Sequence, residues 1–217
     1  MEYAYYPGCS LHSTGKEFDD SSKAVFGKLD VKLVEPKSWI CCGSTPAHAM
    51  SHLLGIALPY HNLLEIEKTN LKEVIVPCAS CFARFKSAQH DVSLDKEIHK
   101  KIVKIVGKEL KGEIRVTHPL EILSEKNSIE NLSRLATVDL SGLKVVCYYG
   151  CLLTRPPKVM QFDECEYPMS MDNVLRAVKV KTLDWSYKTD CCGAAMALSK
   201  TEIVRKLTHE ILKNAKE

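Results

Sequence analysis

Short apolar runs alternate along this chain with longer stretches of helical spacing. Tyr3-Ala4-Tyr5-Tyr6 is an aromatic run stopped by Pro7-Gly8, which predicts a strand with a loop at its C-terminal end. A polar helix is expected over about 15–29 and a strand over 31–34. Ser44 as a cap with Pro46 in the first turn opens the next helix. Ala49, Leu53, Ile56, Leu63 and Leu64 carry its apolar positions to about Lys68, with a kink or break expected at Pro59. A third strand is expected over 73–76, ended by Pro77. Residues 94–110 set Ile98, Ile102, Ile105 and Val106 against Lys100, Lys101 and Lys104, a helix with one buried and one solvated face. A strand over 114–116 and a short helix over 119–126 complete the first half. The second half predicts a strand over 144–149, a helix over 171–178, a strand over 180–183 and a helix from about 195 onward.

Between the halves, residues 124–141 are polar and weakly patterned. This divides the chain into an N-terminal lobe, 1–125, a linker, 126–141, and a C-terminal lobe, 142–217. The spacing between predicted strands leaves room for one crossover each, so the fold class is α/β. Two similar lobes are expected, each a small, mostly parallel sheet flanked by helices.

Composition narrows the setting. With 217 residues, 45% of them hydrophobic, the chain can bury a full core as one domain or two small ones. Ten cysteines in a chain whose first residues lack a basic and an apolar signal region imply a reducing, cytoplasmic compartment. No apolar run nears the roughly 18 residues of a membrane helix, so direct membrane insertion is not expected. The net charge of +3 comes from 30 basic and 27 acidic residues mixed along the chain, which does not point to nucleic acid.

The cysteines change the picture. Cys9 is followed, 31 residues on, by the adjacent pair Cys41-Cys42 and Gly43, and 35 residues separate Cys42 from Cys78-Ala79-Ser80-Cys81. Five thiolates exceed the four that a zinc ion or an ordinary cubane cluster takes. Neighbouring residues also diverge in direction, so Cys41 and Cys42 suit two different metal atoms better than one. Zinc on four of the five, with Cys78 and Cys81 as a knuckle, is the alternative occupant. Each cysteine group follows a predicted strand or leads into a helix, which places the set at the C-terminal edge of a parallel sheet. Part of the pattern recurs: Tyr148-Tyr149-Gly150-Cys151-Leu152-Leu153 echoes Tyr5-Tyr6-Pro7-Gly8-Cys9-Ser10-Leu11, and Cys191-Cys192-Gly193 echoes Cys41-Cys42-Gly43. The second copy lacks the closing Cys-x-x-Cys. An equal step of 36 positions from Cys192 passes Glu217, so a continuation of the chain carrying two more cysteines is expected there.

The two-copy arrangement resembles the cysteine-rich CCG domain family, and the words around Cys9 and Cys151 resemble the B subunits of heterodisulfide reductases within it. The resemblance covers essentially the whole chain. It implies a non-cubane 4Fe–4S cluster on Cys9, Cys41, Cys42, Cys78 and Cys81. A second cluster on Cys151, Cys191 and Cys192 is implied if the missing cysteines are present. It further implies reduction of the coenzyme M–coenzyme B heterodisulfide of methanogenesis, or of a related small-molecule disulfide, in single-electron steps. Electrons would come from a ferredoxin-like C subunit fed by a flavin-containing A subunit. No Gly-rich dinucleotide fingerprint suggests a flavin on this chain. Two other classes stand beside this one: an electron-transfer subunit of a dehydrogenase, and a zinc-stabilised assembly module.

Around the cysteines, His12 and His48 are candidate proton donors, since each lies within six residues of a ligand while Thr154 and Leu198 stand at the corresponding positions of the second copy. Arg84 and Arg155 are candidate anion-binding groups for a substrate. Cys147, within a strand pattern, and Cys165, in an acidic loop, are not assigned as ligands.

Overall fold

The computed structural model describes residues 1–217, the side chain of Thr45 excepted. The chain divides into two compact units, Met1–Ile122 and Leu123–Glu217.

The first unit begins with β1 (Glu2–Tyr5), the single turn α1 (Gly8–Leu11), α2 (Lys16–Lys28) and β2 (Lys32–Val34). It continues with α3 (Ser44–Met50), α4 (His52–Glu67), β3 (Glu73–Ile75), α5 (Ala79–Leu94), α6 (Lys96–Val106), β4 (Arg115–Thr117) and α7 (Pro119–Leu123). The four strands form one parallel sheet in the order β2-β1-β3-β4. The register sets Ala4 against Val34 on one side and Val74 on the other. Tyr3, Ala4, Tyr5 and Tyr6 are all buried, as are Val74, Ile75 and Val76. Such unbroken burial means both faces of the sheet are covered, as parallel sheets require. From β1 the chain crosses to β2 on one side and then to β3 on the other. The C-terminal ends of β1 and β3 therefore lie side by side at the point where strand order reverses.

A core of Ile56, Ala57, Tyr60, Leu64, Ala88 and Ile102 joins α4, α5 and α6. Ile98 and Val106 pack on it with Ile102, whereas Ile105, expected on that face, is exposed. Asp95 starts α6 by accepting the N–H groups of Glu97 and Ile98, and Gly107 ends it in the left-handed region. The helix expected to bend at Pro59 is interrupted at Ser51 instead. Ser51 is extended and its hydroxyl accepts the Leu54 N–H, starting α4. Pro59 stays inside α4, where it is buried and its i−4 neighbour is Gly55. A side chain at Gly55 would lie 2.7 Å from the His48 Cβ, so α3 folds back closely on α4.

The second unit contains α8 (Lys126–Leu135), β5 (Lys144–Val145), α9 (Cys151–Thr154), α10 (Pro157–Met160), α11 (Ser170–Ala177), β6 (Lys181–Thr182), a 3-10 turn (Ala194–Met196) and α12 (Thr201–Lys216). The stretch read as a linker thus carries α8, which packs on α11. Its one apolar face was too short a signal against so many polar neighbours. The strands pair in parallel, Lys144 with Lys181 and Val145 with Thr182. The strand expected over 144–149 ends at Val145, because the N–H groups of Tyr149 and Gly150 go to a loop carbonyl, that of Lys188, at 2.8 and 3.0 Å. Trp185 donates to Asn214 at 2.7 Å and secures α12. Among the described residues, no helix is long and apolar enough to cross a membrane.

Candidate metal centre

The strand order brings the first five cysteines to one edge. Cys9 opens the turn after β1, and Cys78 caps α5 directly after β3, the strand beside β1. Cys41 and Cys42 reach the same edge on the loop from β2. Cys9 Sγ lies 4.0 Å from Cys41 Sγ, and Cys42 Sγ lies 3.3 Å from Cys81 Sγ. The set is graded in depth: Cys9 and Cys41 are exposed, Cys78 is half-buried, and Cys42 and Cys81 are buried.

Two glycines make this approach possible. Gly8 has φ +73°, and a Cβ there would stand 2.9 Å from the Cys81 sulfur. Gly43 has φ +81°, and a Cβ there would meet Ala47 and Leu58 at 2.5 and 2.6 Å. The Gly43 N–H donates to Cys41 Sγ at 3.4 Å. Behind the thiols, Tyr6 donates its hydroxyl to the Ile40 carbonyl at 2.7 Å. Asn62 accepts the Ile40 N–H at 2.8 Å and donates to the Ile40 carbonyl at 2.9 Å. Neither Tyr6 nor Asn62 was singled out from the sequence. The available signal was an asparagine among the apolar positions of α4, since a fully buried amide must find partners.

The thiols lie close enough to perturb one another. The hydrogen bonds of Cys81 with Cys42 and Cys78, and then burial, raise it far above the usual thiol range. The bond with Cys81 lowers Cys78 to about 6, helped by the Cys81 and Ser80 N–H groups at the start of α5 against the cost of burial. Cys42 is likewise lowered by the bond from Cys81, with a contribution from the charge of Arg84. Cys41 is raised, chiefly by burial. A cation at this edge would take the place of the shared proton.

Five thiols offer one donor more than a single tetrahedral ion takes. The sulfurs meet as pairs, and among the described residues no group of three or more His, Cys, Asp or Glu side chains is disposed around one ion. Zinc with bonds of about 2.3 Å would hold its tetrahedral sulfurs about 3.8 Å apart. The Cys9–Cys41 pair is near that distance and the Cys42–Cys81 pair is closer.

In the second unit Cys151 starts α9, and its thiol is raised by burial and then by Cys191. Gly193, with φ +75°, donates its N–H to Cys191 Sγ at 3.4 Å, as Gly43 does to Cys41. Tyr148 donates to the Asp190 carbonyl at 2.7 Å, as Tyr6 does to Ile40. Cys147 is buried and raised to about 12 by burial and by Asp172, in keeping with a core thiol. Cys165 faces Glu164 and Glu166.

The remaining candidates divide. His12 Nε2 lies 3.2 Å from Glu35, whose carboxylate also accepts the Trp39 indole N–H at 2.7 Å. The His12 ring stands edge-on to Trp39, with centroids 5.1 Å apart. His48 is exposed and pairs its Nδ1 with the Ser44 carbonyl of its own helix. Arg84 acts on Cys42, a protein thiol. Arg155 spends its charge on Glu166, through contacts of 3.0 and 2.8 Å.

A parallel α/β sheet carrying a cysteine-lined turn at its C-terminal edge, followed by a second unit with the same turn, defines a duplicated cysteine-site module. The chain belongs to the CCG cysteine-rich domain family, whose pattern matches residues 3–86 and again 145–217. It is 28% identical to the 8-methylmenaquinol:fumarate reductase membrane anchor subunit of Wolinella succinogenes, over 99% of this chain and 75% of that one. It is 27% identical to the B subunit of the ferredoxin/F(420)H(2)-dependent CoB-CoM heterodisulfide reductase of Methanosarcina acetivorans, over 87% of this chain and 64% of the relative. A protein of Archaeoglobus profundus, named for its likeness to the B subunit of heterodisulfide reductase, is 23% identical and is covered over 75% of its length. The crystal structure of a hypothetical protein from Helicobacter pylori superposes with a TM-score of 0.72 over 98% of this chain and 39% of the other, at 11% identity, a likeness of fold.

Proposed function

We propose that this chain is an iron–sulfur subunit of the heterodisulfide reductase type that cleaves a disulfide into two thiols. The observation that carries the reading is the convergence of five thiols, two of them adjacent in sequence, at the open end of the first sheet. Cys9, Cys41, Cys42, Cys78 and Cys81 would hold a non-cubane 4Fe–4S cluster. Cys151, Cys191 and Cys192 would contribute to a second. When bound, such clusters supply electrons one at a time. The reaction balances as one disulfide, two electrons and two protons giving two thiols. The coenzyme M–coenzyme B heterodisulfide or a related one is the substrate, as the relatives' names suggest. A ferredoxin-like C subunit and a flavin-containing A subunit deliver the electrons.

The chain's own residues have distinct tasks in this reading. Cys9 and Cys41 form the exposed rim at which a substrate sulfur arrives. Cys42 and Cys81 are shielded from water. His12, held by Glu35 through Nε2 and set edge-on to Trp39, is the residue that would protonate a departing thiolate. Arg84 steadies the Cys42 thiolate.

A second reading is a non-catalytic iron–sulfur electron-transfer subunit; what favours a non-catalytic place is that the Wolinella relative is named a membrane anchor subunit of a reductase. Anaerobic protein is the material for the test. Iron and sulfide in equal amounts, with disulfide cleavage driven by an artificial one-electron donor, supports the first reading. Iron without cleavage supports the second, and zinc alone refutes both.

A further inference from the structure

Close to the second cysteine set lies a lysine that is 1% exposed and has no part in the chemistry above. Lys188 Nζ donates to Asp172 Oδ2 at 2.7 Å and to the Pro168 carbonyl at 3.0 Å, and it stands 4.6 Å from the centre of the Tyr167 ring. Asp172 is equally buried. The same Asp172 Oδ2 accepts the Tyr149 hydroxyl at 2.8 Å, and that hydroxyl in turn accepts the Met171 N–H at 2.7 Å. The main-chain carbonyl of Lys188 takes the N–H groups of Tyr149 and Gly150. These bonds form a closed ring: Lys188 carbonyl to Tyr149 N–H, Tyr149 hydroxyl to Asp172, Asp172 to Lys188 Nζ. Tyr149 and Gly150 immediately precede Cys151, and Lys188 lies three residues before Cys191.

A buried ion pair of this kind adds little stability over an apolar pair of the same volume, because both charges lose their water. Its geometry is the informative part. One end of Lys188 is fixed to α11 and the other to the loop that carries Cys151. We infer that the Lys188–Asp172 pair is a positioning device that holds the Cys151 turn against the Cys191–Cys192 turn. Among the described residues, the first unit has no such buried pair at its cysteines. There Tyr5 donates to Asp19, and Asp19 is paired with Lys23 on the same helix, whose side chain is 42% exposed. In the first unit the matching turns, at Cys9 and at Cys41-Cys42, follow β1 and β2, which pair at three positions within a four-stranded sheet. In the second unit β5 and β6 pair at only two positions in a two-stranded sheet, so less of the alignment comes from the sheet. The inference rests on reading Cys151, Cys191 and Cys192 as one set.

The test uses the full chain, reduced and free of metal, with a short thiol-to-thiol cross-linker and peptide mapping. Wild-type protein should join Cys151 to the Cys191–Cys192 segment. Lys188→Met should keep the circular dichroism of the fold and lower that cross-link at least about tenfold, the size of loss expected when two reacting groups drift apart. Val180→Ala, which opens the core of the same unit beside the start of β6, at the end of that strand opposite the Cys191-Cys192 turn, is the control for stability alone and should leave the cross-link within about threefold of wild type. If Lys188→Met fails to fold, Lys188→Met/Asp172→Asn removes both charges and is expected to fold with the cross-link still lost. A folded Lys188 variant with the wild-type cross-link overturns the inference. So does an equal loss in Val180→Ala, or a failure of both Lys188 variants to fold, since the pair would then be a structural support only. No cross-link in wild type would refute the grouping of these thiols. Because the experiment contains no iron, it stands apart from the iron analysis, which tests the proposed function.

Discussion

The two units carry the same cysteine turns on different scaffolds. Shared between them are a glycine with positive φ before the first cysteine, Gly8 and Gly150, and another after the adjacent pair, Gly43 and Gly193. Also shared are a tyrosine hydroxyl bonded to the carbonyl preceding the pair and a glycine N–H aimed at the first sulfur of the pair. What differs is the support: four strands against two, and an exposed lysine pair against a buried one. Features present twice are the local requirements of the thiol turn. Features present once reveal what each unit adds. The first adds His12, Glu35 and Trp39, whose counterparts by spacing are Thr154, Trp185 and Thr189. Thr154 is buried and bonds back to the Gly150 carbonyl, so the position of His12 is taken in the second turn by a hydroxyl engaged with its own backbone.

The largest effect should come from the ligands. Serine at Cys9, Cys41, Cys42, Cys78 or Cys81 is expected to remove the iron of the first unit and abolish activity, while Cys147→Ser and Cys165→Ser leave the iron content unchanged. Metal analysis of anaerobic protein checks this, and retained iron in all five variants would break the comparison at its root.

Turnover should separate the units next. His12→Ala is expected to slow disulfide cleavage by about 100-fold with iron retained, the usual scale for losing a general acid. His48→Ala should have a smaller effect, since its ring is engaged with its own helix. Thr154→Ala should act only on stability. Equal rates in His12→Ala and wild type would erase the functional asymmetry.

Acid should test the first unit through His118. This side chain is buried against the Pro77 carbonyl, 3.0 Å from its Nε2, and burial lowers its pKa from 6.5 to about 4. Above pH 6.5 neither the folded nor the unfolded chain protonates it. Between 6.5 and 4 the unfolded chain binds the proton and the folded chain does not, so stability falls as pH falls and levels off below 4. The full loss is about 3 kcal/mol, and urea titrations across this window should show it vanish in His118→Gln.

The smallest expected effect is in the repeated hydrogen bond. Tyr6→Phe and Tyr148→Phe should each cost about 1 kcal/mol. Tyr6→Phe is the milder for its carbonyl, because Asn62 still bonds Ile40. Urea unfolding that showed a larger loss for Tyr6→Phe would place the weight on the tyrosine and not on the amide.

Much of this molecule is determined by sequence alone. The α/β class, the duplication and the repeated cysteine turns with their glycines follow from local spacing, because a strand stopped by Pro-Gly or Gly leads to a turn wherever it occurs. The start of α6 was close, at the Asp95 cap, but the helix expected to reach about 110 stops at Gly107, and other limits were missed where packing decides. Pro59 remains helical because α4 is held on all sides by the core, while Ser51 breaks the helix so that α3 can fold against Gly55. The partners of the cysteines were beyond local reach. Asn62 lies 22 residues from Ile40, Glu35 lies 23 from His12, and Asp172 lies 16 from Lys188. Only the strand order β2-β1-β3-β4, and in the second unit a ring of buried hydrogen bonds, brings such residues together. The physical reason is that a buried polar group must be satisfied, but which distant group satisfies it is settled by how the chain closes.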